Sequence, residues 1–503
     1  MEELTKLMDI VTERSKKVLP IIESNASSFE DNKEFQLYEL VRSSENPTDD
    51  DLAKKMYNTS AEDPRFKMLK HRLRNRLLNH LFFIDFKDDQ SPVAYQHEQE
   101  ALNQYYYIQT LLKKGDFKLA EKLINKNLSF TKELEFTNLY VMTLEKLMWL
   151  FSHQRKVNHY DEVESDYKDA VALRNIEEEC EQAFLSSKLR FKKSNNSRKK
   201  NQELTLESIK KLEKAFKQTN SYNIFEQYYK LKVLYHRQLG EFKELLAFSE
   251  EINDLYDEDK LNKQRFDIKY NQLSQILSLL KTKSFKEGIK YCQFYQNSFD
   301  KSTKEYFQYM ELYFLLYMYT ENSAKAYEIM REVNKNAYFD NLSSNYKLKW
   351  GLYKSYLFLA KPDKRLLKSF DADFFFKNDS KFKKKQKGLE IATLILRYVV
   401  AVENNQLDEI LPIVDRFRKF STLQLYNPAN IRTRLFTKFL TLIYEKEFDY
   451  QTCLSRSEVP LSKLKSAPLP GDESIEIEVI PYESLWQRVL DSLKALGEEA
   501  PKS

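Results

Sequence analysis

Six basic side chains, Arg65, Lys67, Lys70, Arg72, Arg74 and Arg76, stand in a stretch from Pro64 to Ile84 that contains no acid. Cations at this density suit the recognition of phosphates or carboxylates. On a helix, Phe66, Leu69, Leu73 and Leu77 form one apolar stripe and the cations cover most of the remainder. Arg65, Lys70, Arg72, Arg74 and Arg76 are the candidate contacts to phosphate or to an acidic partner. Arg72 and Arg76 are the most attractive for phosphate, one turn apart on the side away from Lys67 and Lys70. Three readings stay open. The face can pair with the chain's own Asp49, Asp50, Asp51, Glu62 and Asp63, bind nucleic acid, or bind an acidic protein.

Two further basic runs stand out. "KLRFKKSNNSRKK", 188–200, and "KNDSKFKKKQKG", 377–388, read as inter-helix loops that serve solubility or an anionic ligand. The second lies beside Phe374, Phe375 and Phe376, which would serve base stacking if they were exposed.

Other chemistry finds no motif. The glycines are isolated, so neither phosphate-cradling loop can be written. His97-Glu98-Gln99-Glu100 is followed by Ala101, which breaks the zinc-protease spacing. Cys180, Cys292 and Cys453 are far apart and form no CxxC, as expected of isolated reduced thiols in a cytoplasmic protein. No catalytic residue, metal ligand or cofactor is assigned, and the chain is read as a non-enzyme.

The elements that carry these residues are helical. Glycine numbers 7 and proline 12 in 503 residues, and no proline lies between Pro92 and Pro362. Hairpin-rich β folds need both residues, and proline in a helix interior costs about 3 kcal/mol. The net charge of +5 sits on 81 basic and 76 acidic residues, so no broad field favours nucleic acid. The start, "MEELTKLMDI", lacks the basic and apolar parts of a signal peptide. The most apolar window, 389–402, is too short to span a bilayer.

One joint recurs along the chain. Gly115-Asp116-Phe117 and Gly240-Glu241-Phe242 share an order, and Ser284-Phe285 follows the same plan. With Tyr160, Ala324, Leu407 and Phe448 they imply a period of about 42 residues, as in two-helix repeats. Gly115 and Gly240 would end one helix in the left-handed conformation, and Asp116 or Glu241 would start the next. The aromatic would fill the wedge, and Ala120 would permit close approach. The expected joints near 200 and 365 are not recognisable. Leu112, Gly115, Asp116, Phe117 and Ala120 together resemble the helix A to helix B joint of tetratricopeptide (TPR) repeats. The resemblance covers about 95–455 and implies a TPR-like α-solenoid.

The ends differ. Helices are expected at 33–43, 49–57 and 64–84, with Thr48 and Asp51 as a capping box and Pro64 in a first turn. Three helices with the last one basic outline a helix-turn-helix. Pro460, Pro468, Pro470 and Gly471 mark a linker. Alternation of Ile475, Ile477 and Val479 with Glu476 and Glu478 predicts a strand, which would need a partner for its edge. A helix over 482–495 should bury Leu485, Trp486, Val489, Leu490 and Leu493 as a cap. The acidic start, basic third helix and "EIEVIPYESLWQRVLDSL" ending resemble a bacterial family of this length, a resemblance that implies no activity.

The chain is therefore expected to be all-α, a right-handed α-solenoid of helical hairpins with period about 42. Residues 1–90 form a small helical domain, 91–455 the repeats, 456–473 a linker and 474–503 a strand–helix cap. The expected role is a scaffold or adaptor holding a protein or peptide partner in its groove, without membrane attachment. The alternative is a nucleic-acid-binding regulator with a helix-turn-helix head and a repeat body as sensor or oligomerisation module.

Overall fold

A computed structural model describes residues 3–8, 32–44, 47–81, 93–191, 198–361, 387–423, 430–469 and 477–499. Helices and their connections account for all of these, and no strand occurs among the described residues. The chain divides into two compact units, one of 1–131 with 149–154 and one of 132–148 with 155–503.

The first unit begins with α1 (Lys33–Ser43), α2 (Asp49–Tyr57) and α3 (Pro64–His80). Each starts on a side-chain cap. Asn32 accepts from the N–H groups of Glu34 and Phe35, Thr48 from that of Asp51, and Asp63 from that of Arg65. Thr48 Oγ1 also donates to Asp51 Oδ2 at 2.5 Å, so the two capping-box residues are joined through their side chains. Asn58 ends α2 in the left-handed conformation. Phe66, Leu69, Leu73 and Leu77 are buried against Leu37, Val41, Leu52 and Ala53, joined by Leu4 and Met8 of the helical stretch 3–8. The same unit holds α4 (Val93–Lys114), most of α5 (Phe117–Glu133) and the end of α6 (Thr137–His153).

The second unit continues through α7 (Val157–Phe191), α8 (Arg198–Thr219), α9 (Tyr222–Leu239), α10 (Phe242–Asp257), α11 (Lys269–Lys281), α12 (Phe285–Phe294) and α13 (Lys304–Tyr319). There follow α14 (Ser323–Lys335), α15 (Ser344–Ala360), α16 (Lys387–Glu403), α17 (Ile410–Leu423), α18 (Ile431–Glu445), α19 (Tyr450–Ser466) and α20 (Tyr482–Glu499). Consecutive helices pack on each other, and α7 with α9 and α11 with α13 also touch, an arrangement compatible with a helical-repeat fold. One core runs from α11 to α20, and another joins α7, α8, α9 and α10 to the segment around Phe266.

Some hydrogen bonds join residues one expected period apart. Tyr229 Oη donates to Asn271, Arg265 to Asn223, Tyr353 Oη to Glu311 and Tyr398 Oη to the Leu440 carbonyl, each pair 42 residues apart. The joints share a backbone as well. Gly115, Arg155, Gly240, Lys283, Glu321, Asn405 and Glu447 all have φ between 52° and 81°, each just before the next helix. At six of them the following N–H bonds the carbonyl five residues back: Asp116 to Leu111, Glu241 to His236, Ser284 to Leu279, Asn322 to Tyr317, Gln406 to Ala401 and Phe448 to Ile443. This is the closure that satisfies a helix's last carbonyls.

The aromatic at the joint reaches further than the wedge of its own hairpin. Phe117 packs on Trp149 and His153 in the last turn of α6, and Phe285 packs on Tyr319 at the end of α13. Three residues on, Ala120 is fully buried, and at Gly288 an added Cβ would stand 2.8 Å from a Leu316 methyl. Near 200 the period is interrupted because α7 runs for 35 residues and α8 packs back on it. The expected joint near 365 lies outside the described residues.

The expected strand–helix cap is corrected. Residues 477–481 are irregular, and Ile475 and Glu476 lie outside the described residues. The alternating pattern placed Glu478 outward, yet it is buried. Its carboxylate accepts from Arg432 and from the Tyr482 N–H, and its carbonyl accepts from Tyr319 Oη. Side-chain partners thus satisfy a segment that would otherwise need a neighbouring strand. The helix half of the expectation holds, because Leu485, Trp486, Val489, Leu490 and Leu493 of α20 are all buried. Upstream, α19 continues to Ser466 with Pro460 inside it, through much of the stretch whose prolines suggested a linker. Buried Cys453, Ser457 and Leu464 offset the hydrogen bond that proline removes.

Candidate interaction surface

The five residues singled out on α3 do share its outer surface, but each meets a carboxylate of the same chain. Arg65 lies 2.8 Å from Asp63, Lys70 2.7 Å from Asp49 and Arg74 2.7 Å from Glu3. Arg72 and Arg76 both face Glu34 of α1, at 3.7 and 2.9 Å. Lys67 completes the set with Glu62 at 2.5 Å. The hydrogen bond from the Arg65 side chain, with its backbone N–H, holds Asp63 down at about 2. Burial works against the ionised Asp49, yet the hydrogen bond and charge of Lys70 outweigh it and lower its pKa. Hydrogen bonding and charge from Arg74 likewise lower that of Glu3. The cations are thus neutralised by carboxylates of the same unit. Of the two other basic runs, 192–197 and 377–386 lie outside the described residues, as do Phe374, Phe375 and Phe376.

A different surface of the first unit is exposed and apolar. On α4, Ala101, Gln104 and Ile108 face the interior, while Tyr95, Leu102 and Tyr106 are exposed, Tyr106 at 58%. At steps of 7 and 4 residues these three fall within one narrow band on the opposite side of the helix. Tyr107, about 100° further round the helix, is exposed too and meets Tyr106 edge-on at 6.3 Å. An outward helix face is ordinarily polar, so α4 carries a second apolar face.

The start of α5 adds aromatic and basic groups. Gly115 (φ 81°) turns the chain, and the Asp116 carboxylate accepts from the Leu119 N–H. Phe117 then packs on His153 at 4.9 Å, and His153 lies parallel to Trp149 at 5.2 Å and 5°. Trp149 is 48% exposed and Leu119 43%. Along α5, Ala120, Ile124, Asn127 and Thr131 are buried, while Lys118, Lys122 and Lys126 are exposed on the other side. The sequence signal for both faces was present as offset apolar positions on α4 and a four-residue lysine spacing on α5. It was masked by the density of aromatics and lysines elsewhere.

Among the described residues no group of three or more His, Cys, Asp or Glu is placed to hold a metal ion, and no helix is long and apolar enough to cross a membrane. Cys180, Cys292 and Cys453 are free and buried. No protein-family model, curated protein or solved structure matches the chain.

Proposed function

We propose that the protein is a non-catalytic scaffold or adaptor, a TPR-like array of helical hairpins that holds a protein or peptide partner. The observation that carries this reading is the exposed band of α4, where Tyr95, Leu102 and Tyr106 are presented to solvent, with Tyr107 exposed beside it. Tyrosine combines large contact area with low entropic cost, and clusters of it mark protein interfaces. The free, buried thiols suit a bacterial cytoplasm. The nucleic-acid reading has weaker support, because every α3 cation already faces a carboxylate.

The test compares native-cell co-purification by the wild-type chain and by Tyr95→Ser/Tyr106→Ser, with partners identified by mass spectrometry. A stoichiometric partner recovered by the wild type and lost by a folded variant supports the reading. Identical recovery by both sinks it.

A further inference from the structure

We propose that the outward face of α5, with the Trp149 platform at its start, docks an acidic helical segment of a partner protein. The inference rests on the scaffold reading and names the chemistry of the partner. Lys118, Lys122 and Lys126 recur every fourth residue, so their ammonium groups form one row at steps of about 6 Å. Lys113 and Lys114, exposed at the end of α4, continue the charge across the joint. From Gln109 to Thr131 these five lysines stand against two acids, Asp116 and Glu121. None of the five lies within 4.0 Å of a carboxylate among the described residues. On α3 the counter-charges come from the chain itself; on α5 none of the described residues supplies them.

The row ends beside apolar surface. Trp149 is nearly half exposed, and Phe117 and His153 pack against its indole. The matching partner carries carboxylates at i, i+4 and i+8, with one apolar side chain to seat on Trp149. Two helices with the same rise keep such charges in step along their length. A nucleic-acid strand would be met by several rings in succession, whereas the row here begins at the indole of Trp149.

Trp149 reports on its own occupancy. Of the three tryptophans, Trp350 and Trp486 are 2% and 1% exposed, so acrylamide-accessible emission belongs to Trp149. The full chain is titrated with a tryptophan-free, alanine-based helical peptide of about twenty residues, carrying Glu at i, i+4 and i+8 and a terminal Leu. A Gln-for-Glu peptide and an oligothymidine of similar length run in parallel. The expected result is a saturable blue shift and protection from acrylamide with the acidic peptide alone. Affinity should fall with added salt and drop at least about tenfold in Lys118→Glu/Lys122→Glu, whose sites are exposed. Tighter binding of oligothymidine, equal binding of the Gln peptide, no shift with any probe, or full affinity in the lysine variant would each overturn the proposal. The Tyr95/Tyr106 comparison is read separately, so a failed α5 face does not count against the scaffold reading.

Discussion

Arg432 of α18 and Glu478 of the segment before α20 form a two-pronged ion pair, with Nε and Nη2 each 2.7 Å from a carboxylate oxygen. Both side chains are out of water, at 1% and 0% exposure. Glu483 meets the same guanidinium at 2.7 Å, and the Leu464 carbonyl accepts from its Nη1. Burial alone would lower the Arg432 pKa, but the two carboxylates outweigh it and raise it. Removing one partner strands the other charge in the interior. Arg432→Met should therefore lose about 3–5 kcal/mol of unfolding free energy by urea denaturation. Arg432→Met/Glu478→Leu should recover a large part of it. A single variant as stable as the wild type would contradict the packing described.

Glu177 gives a pH dependence. It accepts from Thr137, Ser221 and Asn223, yet burial dominates and raises its carboxyl above 4.5. The folded state then keeps a proton that the unfolded chain releases. Stability from this group is full below 4.5 and is lost as pH rises through the higher folded value. Urea midpoints from about pH 4 to about pH 7 should fall for the wild type relative to Glu177→Gln. Parallel profiles would show that the carboxylate is ionised at no cost.

The left-handed joints predict opposite signs for opposite substitutions. Gly115→Ala and Gly240→Ala should each destabilise by about 1 kcal/mol, because a Cβ there meets backbone strain although the space is open. Lys283→Gly and Glu321→Gly, at φ 62° and 58°, should stabilise by up to about 1 kcal/mol. Calorimetry of the four variants decides the matter.

At Gly288 the limit is packing. A Cβ would approach Leu316 to 2.8 Å and Leu279 Cβ to 3.5 Å, between helices α11, α12 and α13. Gly288→Val should cost about 1–3 kcal/mol in thermal or chemical unfolding, and a neutral outcome would mean that α12 can move aside.

The thiols should be silent in the native protein. Burial raises Cys180, lifts Cys292 far above its usual range and pushes Cys453 up to about 11. A disulfide reagent near pH 8 should titrate no thiol before unfolding and three after it. A fast-reacting native thiol would place one of these cysteines at the surface.

Much of this fold is legible in the chain because local chemistry and packing agree. Asn32, Thr48 and Pro64 mark the first three helices, and the leucines of α3 mark the core they share. Gly115 and Gly240 expose two joints. The other joints hide because Arg155, Lys283, Glu321, Asn405 and Glu447 adopt the same φ at a modest cost, and nothing in those side chains announces it. The α3 cations were readable as a cluster, but their pairing with Glu3 and Glu34 depends on tertiary folding. The Glu478 alternation misled because a period of two fixes a side chain's direction only when a ladder holds the backbone. The exposed band on α4 was hidden for a related reason. Which of two apolar faces turns inward is decided by neighbours, not by spacing.

Arg432 leaves the ribosome before either of its counter-ions. Until Glu478 and Glu483 follow, α18 has a guanidinium that must stay in water, so the helices around it cannot close early. The final helix is begun by the same carboxylate that quenches this charge, through the Tyr482 N–H. Its first turn and its docking therefore depend on one carboxylate. A nascent chain stalled short of Glu478 would hold an open, chaperone-accessible tail.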